Sequence, residues 1–224
     1  MIKAVIFDLD GVLVSTDQLH FEAWKALAVE IGAHDFSEAD NHRQRGVSRM
    51  ASLEVVLEKV DNAYTDEEKE RLADYKNTLY VKSLATLAPE ALLPGALSCL
   101  KRLKAEMVNI ALGSASKNAP IILEKIGIAD YFDAVACGLD VTKSKPDPEV
   151  FLVAAKKLNI HPSQCLVVED SDAGIEAAHQ AGMQSLAIGA AMGNALATYR
   201  GVDLSDTSLD WTVILTTDWN ERGI

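Results

Sequence analysis

The sequence predicts an α/β protein, a Rossmann-like parallel sheet with helices on both faces, interrupted after its first strand by a helical cap domain. Three observations carry this expectation. Short apolar runs alternate with helix-like segments along most of the chain, the pattern of strands joined by helical crossovers. The first of those runs lacks the polar alternation of a half-exposed strand, as expected where a sheet is covered on both faces. The interval 15–88 carries helical periodicity and no strand-like run.

The strands are read over 3–7, 108–112, 134–137, 165–168 and 185–188, and the core helices near 95–106, 118–127, 148–159 and 172–182. Asp147-Pro148 reads as an N-cap followed by proline in the first helical position, and Gly182 as a helix stop. Within the insertion, Leu19, Ala23, Trp24, Leu27 and Ile31 form one helical stripe. Leu53, Val56, Leu57 and Val60 form a second, and Leu72, Tyr75 and Leu79 a third. Thr65 and Glu68 have the spacing of a capping box before that third helix. Near the end, Trp211, Leu215 and Trp219 share a helical face. The expected organisation is a catalytic core over 1–14 and 89–224 with a cap over 15–88, a size that 224 residues allow.

Composition narrows the function. Hydrophobic residues make up 49% and charged residues 24%, the balance of a soluble globular chain. No apolar run reaches membrane-span length and no leader pattern precedes the first strand, so a cytoplasmic protein is expected. A net charge of −12 argues against nucleic acid or an anionic membrane as partner. A small phosphorylated substrate stays open, provided cations gather locally. Cys99, Cys137 and Cys165 lack metal or redox spacing and read as buried thiols. The five histidines offer no zinc pair.

Chemistry-bearing residues recur where strands end. Asp8 and Asp10 follow the first strand, and residues two apart in an extended segment share a face. Gly11 allows the chain to turn sharply after them. The second strand runs into Gly113-Ser114-Ala115-Ser116-Lys117, hydroxyls and amides suited to a phosphate. Lys145 follows the third strand, and Glu169-Asp170 end the fourth. Taken together these residues converge at the carboxyl edge of one sheet, where such folds bind ligands. One Mg²⁺ per chain would find oxygen ligands in Asp8, the backbone carbonyl of Asp10, and Asp170, with Glu169 joining through water. Ser114 and Lys145 would steady phosphoryl oxygens, Asp8 would attack phosphorus, and Asp10 would act as general acid and base.

These four signatures, in this order, resemble the haloacid dehalogenase superfamily. An acid at both positions of the first resembles its phosphoryl-transferring branch, and an insertion directly after it resembles the subgroup with a helical cap. Phe7-Asp8-Leu9-Asp10-Gly11-Val12-Leu13, Thr16, and the stretch from His20 to Ala28 are similar to the β-phosphoglucomutase family within it. So are Gly46-Val47-Ser48-Arg49, Lys76-Asn77 with Tyr80, and Ser114-Ala115-Ser116-Lys117-Asn118. That resemblance implies interconversion of β-glucose 1-phosphate and glucose 6-phosphate, with β-glucose 1,6-bisphosphate as priming intermediate. It places substrate contacts at Thr16, His20, Trp24, Gly46, Val47, Ser48, Arg49, Lys76, Ala115, Ser116, Lys117 and Asn118. Arg49 suits a second phosphate because its planar fork grips two oxygens at once. A monomer is expected. Ser15 departs from the family, whose members often carry aspartate there. A sugar phosphatase on the same scaffold is the alternative, and a non-enzymatic sugar-phosphate sensor a third reading that the intact acids oppose.

Overall fold

The computed structural model describes residues 1–44 and 47–217. The chain divides into two compact units, Met1–Ser15 with Ala88–Ile224, and Thr16–Leu87.

The first unit is the α/β fold expected. Its sheet comprises β1 (Ala4–Phe7), β2 (Asn109–Gly113), β3 (Ala134–Ala136), β4 (Cys165–Glu169), β5 (Gln184–Ala187) and β6 (Tyr199–Arg200), in the order β3-β2-β1-β4-β5-β6. Every pairing is parallel. The central strand β1 is buried along its whole length, which explains its unbroken apolar sequence. β6 escaped the sequence reading because a two-residue strand has no period to detect.

The helices of this unit are α5 (Ala96–Ala105), α6 (Ala119–Lys125), α7 (Glu149–Leu158), α8 (Asp172–Gln180) and α9 (Trp211–Thr216). On one side, Val150, Phe151, Ala154 and Ala155 of α7 join Ala177 and Ala178 of α8 in a core with Ile6 and Val167 of the sheet. α7 begins one residue later than expected: Pro148 is itself the N-cap, and the Asp147 carboxylate accepts the Glu149 N–H at 3.0 Å. Gly182 does end α8, at φ +68°, donating to the His179 carbonyl. Trp211 and Leu215 are buried on α9, while Trp219 lies outside the described residues.

Register positions the strand ends. Phe7 pairs with Leu112 on one side and Val168 on the other. The next residues, Asp8, Gly113 and Glu169, therefore lie level with one another at the carboxyl edge. The strand order also reverses about β1, so this edge is the topological switch point where a crevice opens.

The second unit is helical: α1 (Asp17–Glu30), α2 (Glu38–Arg43), α3 (Arg49–Leu57) and α4 (Asp66–Ser83). Phe21, Trp24, Leu27, Phe36, Leu53, Val56 and Ala73 form its core. The Thr65–Glu68 capping box is present. One helix face needs correction. The stripe Leu72, Tyr75, Leu79 is not the buried one; α4 buries Ala73, Lys76 and Tyr80 and leaves Tyr75 40% exposed. The apolar pattern misled because a lysine occupies the inward position. α2 was also unforeseen, since five of its six residues are polar and its start rests on a Ser37–Asp40 capping box.

No helix among the described residues is long and apolar enough to cross a membrane. All three cysteines are free and buried.

Candidate active site

The chain leaves β1 through a tight loop. Asp8 donates its N–H to the Val168 carbonyl at 3.0 Å, and Leu13 and Val14 return to the Leu9 carbonyl at 2.9 and 3.2 Å. Asp8 and Asp10 are thus held by backbone bonds on both sides. Gly11 sits at φ +81°, and a Cβ there would overlap the Asp170 carboxylate. Glycine is needed at this position for both reasons.

Asp8, Lys145 and Glu169 form a buried triad. Lys145 Nζ donates to Asp8 Oδ1 at 2.5 Å and to Glu169 Oε1 at 2.8 Å. The ring of Phe151, from the first turn of α7, lies with its centroid 4.7 Å from the same ammonium. Burial works against the charge on Lys145, but Asp8 and Glu169 outweigh it and hold its pKa above the ordinary lysine range. Burial, together with Glu169 and Asp10, raises Asp170 to about 7. Asp8 is raised by burial, with Glu169 and Asp170 adding to it.

Carboxylate oxygens of Asp8, Glu169 and Asp170 lie within 4.8 Å of one another. Four acids, counting Asp10, crowd one lysine at this edge. An all-oxygen donor set with surplus negative charge suits a hard divalent cation, which would offset the burial and the mutual repulsion that raise Asp8 and Asp170.

The second strand end is ordered by its own hydroxyls. Ser114 is buried and its Oγ accepts the Ser116 N–H at 3.2 Å; Ser116 Oγ accepts the Asn118 N–H at 3.2 Å. Ala115 and Ser116 are partly buried, Lys117 is exposed, and Asn118 is the N-cap of α6. No bond among those described ties Ser114 to the triad, so the two are related only through strand register.

The remaining residues named from the sequence belong to the helical unit. Lys76, 3% exposed, places Nζ 2.7 Å from His20 Nδ1 and 4.4 Å from the Trp24 ring centroid. His20 stacks on Tyr80 at 4.0 Å, and the Tyr80 hydroxyl donates to Thr16 Oγ1 at 3.1 Å. Trp24 is a core residue, 2% exposed. Arg49 opens α3, reaching Asn77 Oδ1 at 2.9 Å and Asp74 Oδ1 at 3.4 Å. Ser48 caps that helix by accepting the Ala51 N–H, and Val47 before it is exposed. Gly46 lies outside the described residues. Sequence reasoning passed over two residues that touch the triad. They are Phe151, whose ring faces the Lys145 ammonium, and Ser171, whose Oγ lies 3.1 Å from Glu169 Oε1. Only the Ser-x-x-Gly spacing at the start of α8 hinted at Ser171.

Comparison with known proteins places this geometry in context. Residues 2–182 match the family model of haloacid dehalogenase-like hydrolases. A β-phosphoglucomutase from Bacillus subtilis is 43% identical over 189 residues, covering 84% of this chain and 83% of that protein. A phosphorylated carbohydrates phosphatase from Thermotoga maritima is 31% identical over 82% of this chain and 83% of its own. The crystal structure of a β-phosphoglucomutase from Clostridium difficile superposes with a TM-score of 0.89 at 38% identity, covering 99% of this chain and 98% of the other.

Proposed function

The chain belongs to the haloacid dehalogenase-like hydrolase family, and from that membership we propose that it works as a β-phosphoglucomutase. It would convert β-glucose 1-phosphate to glucose 6-phosphate and back. The observation that carries the reading is the Asp8–Lys145–Glu169 triad beside Asp10 and Asp170. A sugar-phosphate sensor has no use for a nucleophile held beside a buried ammonium. Similarity to phosphoglucomutases over more than four-fifths of the chain supplies the sugar.

In this mechanism an Asp8 carboxylate oxygen attacks phosphorus of a bound sugar bisphosphate. The bond from phosphorus to the sugar oxygen breaks, and Asp10 hands that oxygen a proton. For the return step Asp10 takes a proton from the other sugar hydroxyl. That oxygen attacks the phosphoaspartate, and Asp8 leaves as carboxylate. Lys145 is assigned to neutralise charge on the transferring group and the Ser114 hydroxyl to donate to one of its oxygens, because fixed donors stabilise charge as it develops. Mg²⁺ would be held by Asp8, the Asp10 carbonyl and Asp170; when bound it lessens repulsion between carboxylate and phosphate. β-Glucose 1,6-bisphosphate primes the cycle. In the helical unit the substrate's second phosphate is assigned to Arg49 and its hydroxyls to His20 and Lys76; in the α/β unit Ser116, Lys117 and Asn118 are assigned to substrate binding.

The test is a product assay with anomerically pure β-glucose 1-phosphate, Mg²⁺ and a trace of the bisphosphate. Glucose 6-phosphate is expected as the main product. Stoichiometric free phosphate without isomer would replace this reading with a sugar phosphatase, the activity named for the Thermotoga relative.

A further inference from the structure

We propose that Ser171 is a positioning residue, whose hydroxyl, with the space left by Gly174, locks the Glu169 carboxylate so that it holds Lys145 against Asp8. The proposal deepens the phosphoryl-transfer reading and rests on it for its consequence in turnover.

Glu169 is buried at the end of β4 and tied at both oxygens. Oε2 accepts the Asp170 N–H at 2.8 Å and the Ser171 N–H at 3.1 Å. Oε1 accepts from Lys145 at 2.8 Å. Ser171 Oγ lies 3.1 Å from Oε1 and 3.3 Å from Oε2. A carboxylate offers about four lone-pair sites. The Lys145 ammonium, two backbone N–H groups and the Ser171 hydroxyl fill them. With its oxygens committed in this way, Glu169 serves as an anchor for Lys145 rather than as a direct ligand of a cation. The ligand role falls to Asp8 and Asp170.

Ser171 is also the N-cap of α8, its Oγ accepting the Gly174 N–H at 3.1 Å. A cap needs only that acceptor lone pair. The hydroxyl proton is left over, and the Glu169 oxygens are within its reach. Gly174 explains why the arrangement closes: a Cβ at that position would overlap the Glu169 carboxylate. The residue is helical, so its lack of a side chain answers a need for space and not for an unusual backbone.

Three variants of the full chain separate capping from positioning. Ser171→Asp keeps the acceptor for Gly174 but has no proton to give and sets a like charge beside Glu169. Ser171→Ala keeps neither function, and Ser171→Thr keeps both. The readout independent of activity is the side-chain ¹H–¹⁵N signal of the Lys145 ammonium, recorded on the protein alone. It is expected in the wild type and Ser171→Thr, and expected to broaden away through solvent exchange in Ser171→Asp and Ser171→Ala. Turnover of β-glucose 1-phosphate should fall about tenfold in kcat for Asp and Ala, the scale of one hydrogen bond to a charged group, with KM little changed. A Ser171→Asp protein with wild-type signal and kcat would overturn the proposal, leaving Ser171 as a helix cap. The signal pattern without any glucose 6-phosphate from the wild type would uphold the positioning role and refute the sugar-phosphate reading instead.

Discussion

The His20 ring meets three neighbours that decide its charge. Tyr80 covers one face, the Lys76 ammonium approaches Nδ1, and the Arg49 charge is near. An ammonium has only protons to give, so Nδ1 is the acceptor and the ring is neutral with its proton on Nε2. Burial, then Lys76 and Arg49, hold its pKa well below the ordinary value. In the unfolded chain it returns to about 6.5. Below that pH the unfolded state takes up a proton that the folded state refuses, so stability is full above 6.5 and lost as pH falls. The slope approaches about 1.4 kcal/mol per pH unit for one proton. Urea midpoints from pH 7.5 to 5 should therefore fall more steeply for the wild type than for His20→Asn, which keeps an acceptor and cannot titrate. Parallel curves would show that His20 protonates freely in the fold.

α7 carries Phe151 beneath Lys145 and so links helix packing to the site. It ends at Asn159, in the left-handed conformation at φ +56° and ψ +40°, with the Ile160 N–H returning to the Ala155 carbonyl. Asparagine tolerates that conformation better than residues lacking a short polar side chain, and glycine bears no penalty there. Asn159→Ala should lower stability by about 1 kcal/mol, and Asn159→Gly should match or exceed the wild type in urea unfolding. Equal loss in both variants would mean that the asparagine side chain, not the backbone conformation, matters. At this scale the sequence was legible wherever an element was long and its inward residues apolar. The five longer strands and α1 were read in this way. It failed where polar groups face inward: Lys76 hid the true face of α4, and the polar α2 had no stripe to find. The convergence of Asp8, Lys145, Glu169 and Asp170 could be read because each follows a recognisable strand. The Ser171–Glu169 contact could not, since it depends on which way one hydroxyl points.

Over the whole molecule a net charge of −12 repels the dianionic phosphate that the proposed activity requires. Selective binding must therefore come from a few placed cations. The cations assigned to that task in the proposed mechanism come from both units: Lys145 and Lys117 from the one, Arg49 and Lys76 from the other. That division separates two tasks. In the proposed mechanism Asp8 and Lys145 act on the transferring phosphoryl group whatever it is attached to, whereas Arg49 is assigned to the part of the substrate that does not react. On that mechanism, binding energy from such remote groups would let a sugar hydroxyl outcompete water for the phosphoaspartate, because a well-oriented hydroxyl reaches effective molarities of about 10⁵–10⁸ M. Arg49→Ala should then lower glucose 6-phosphate formation about tenfold or more, the worth of a charge-assisted hydrogen bond. Hydrolysis of p-nitrophenyl phosphate, which has no second phosphate or sugar, should change little. The ratio of free phosphate to isomer from β-glucose 1-phosphate should rise in the same variant. Equal losses on both substrates would place Arg49 in the fold's support through Asn77 and Asp74, and an unchanged ratio would remove it from the partition between sugar and water.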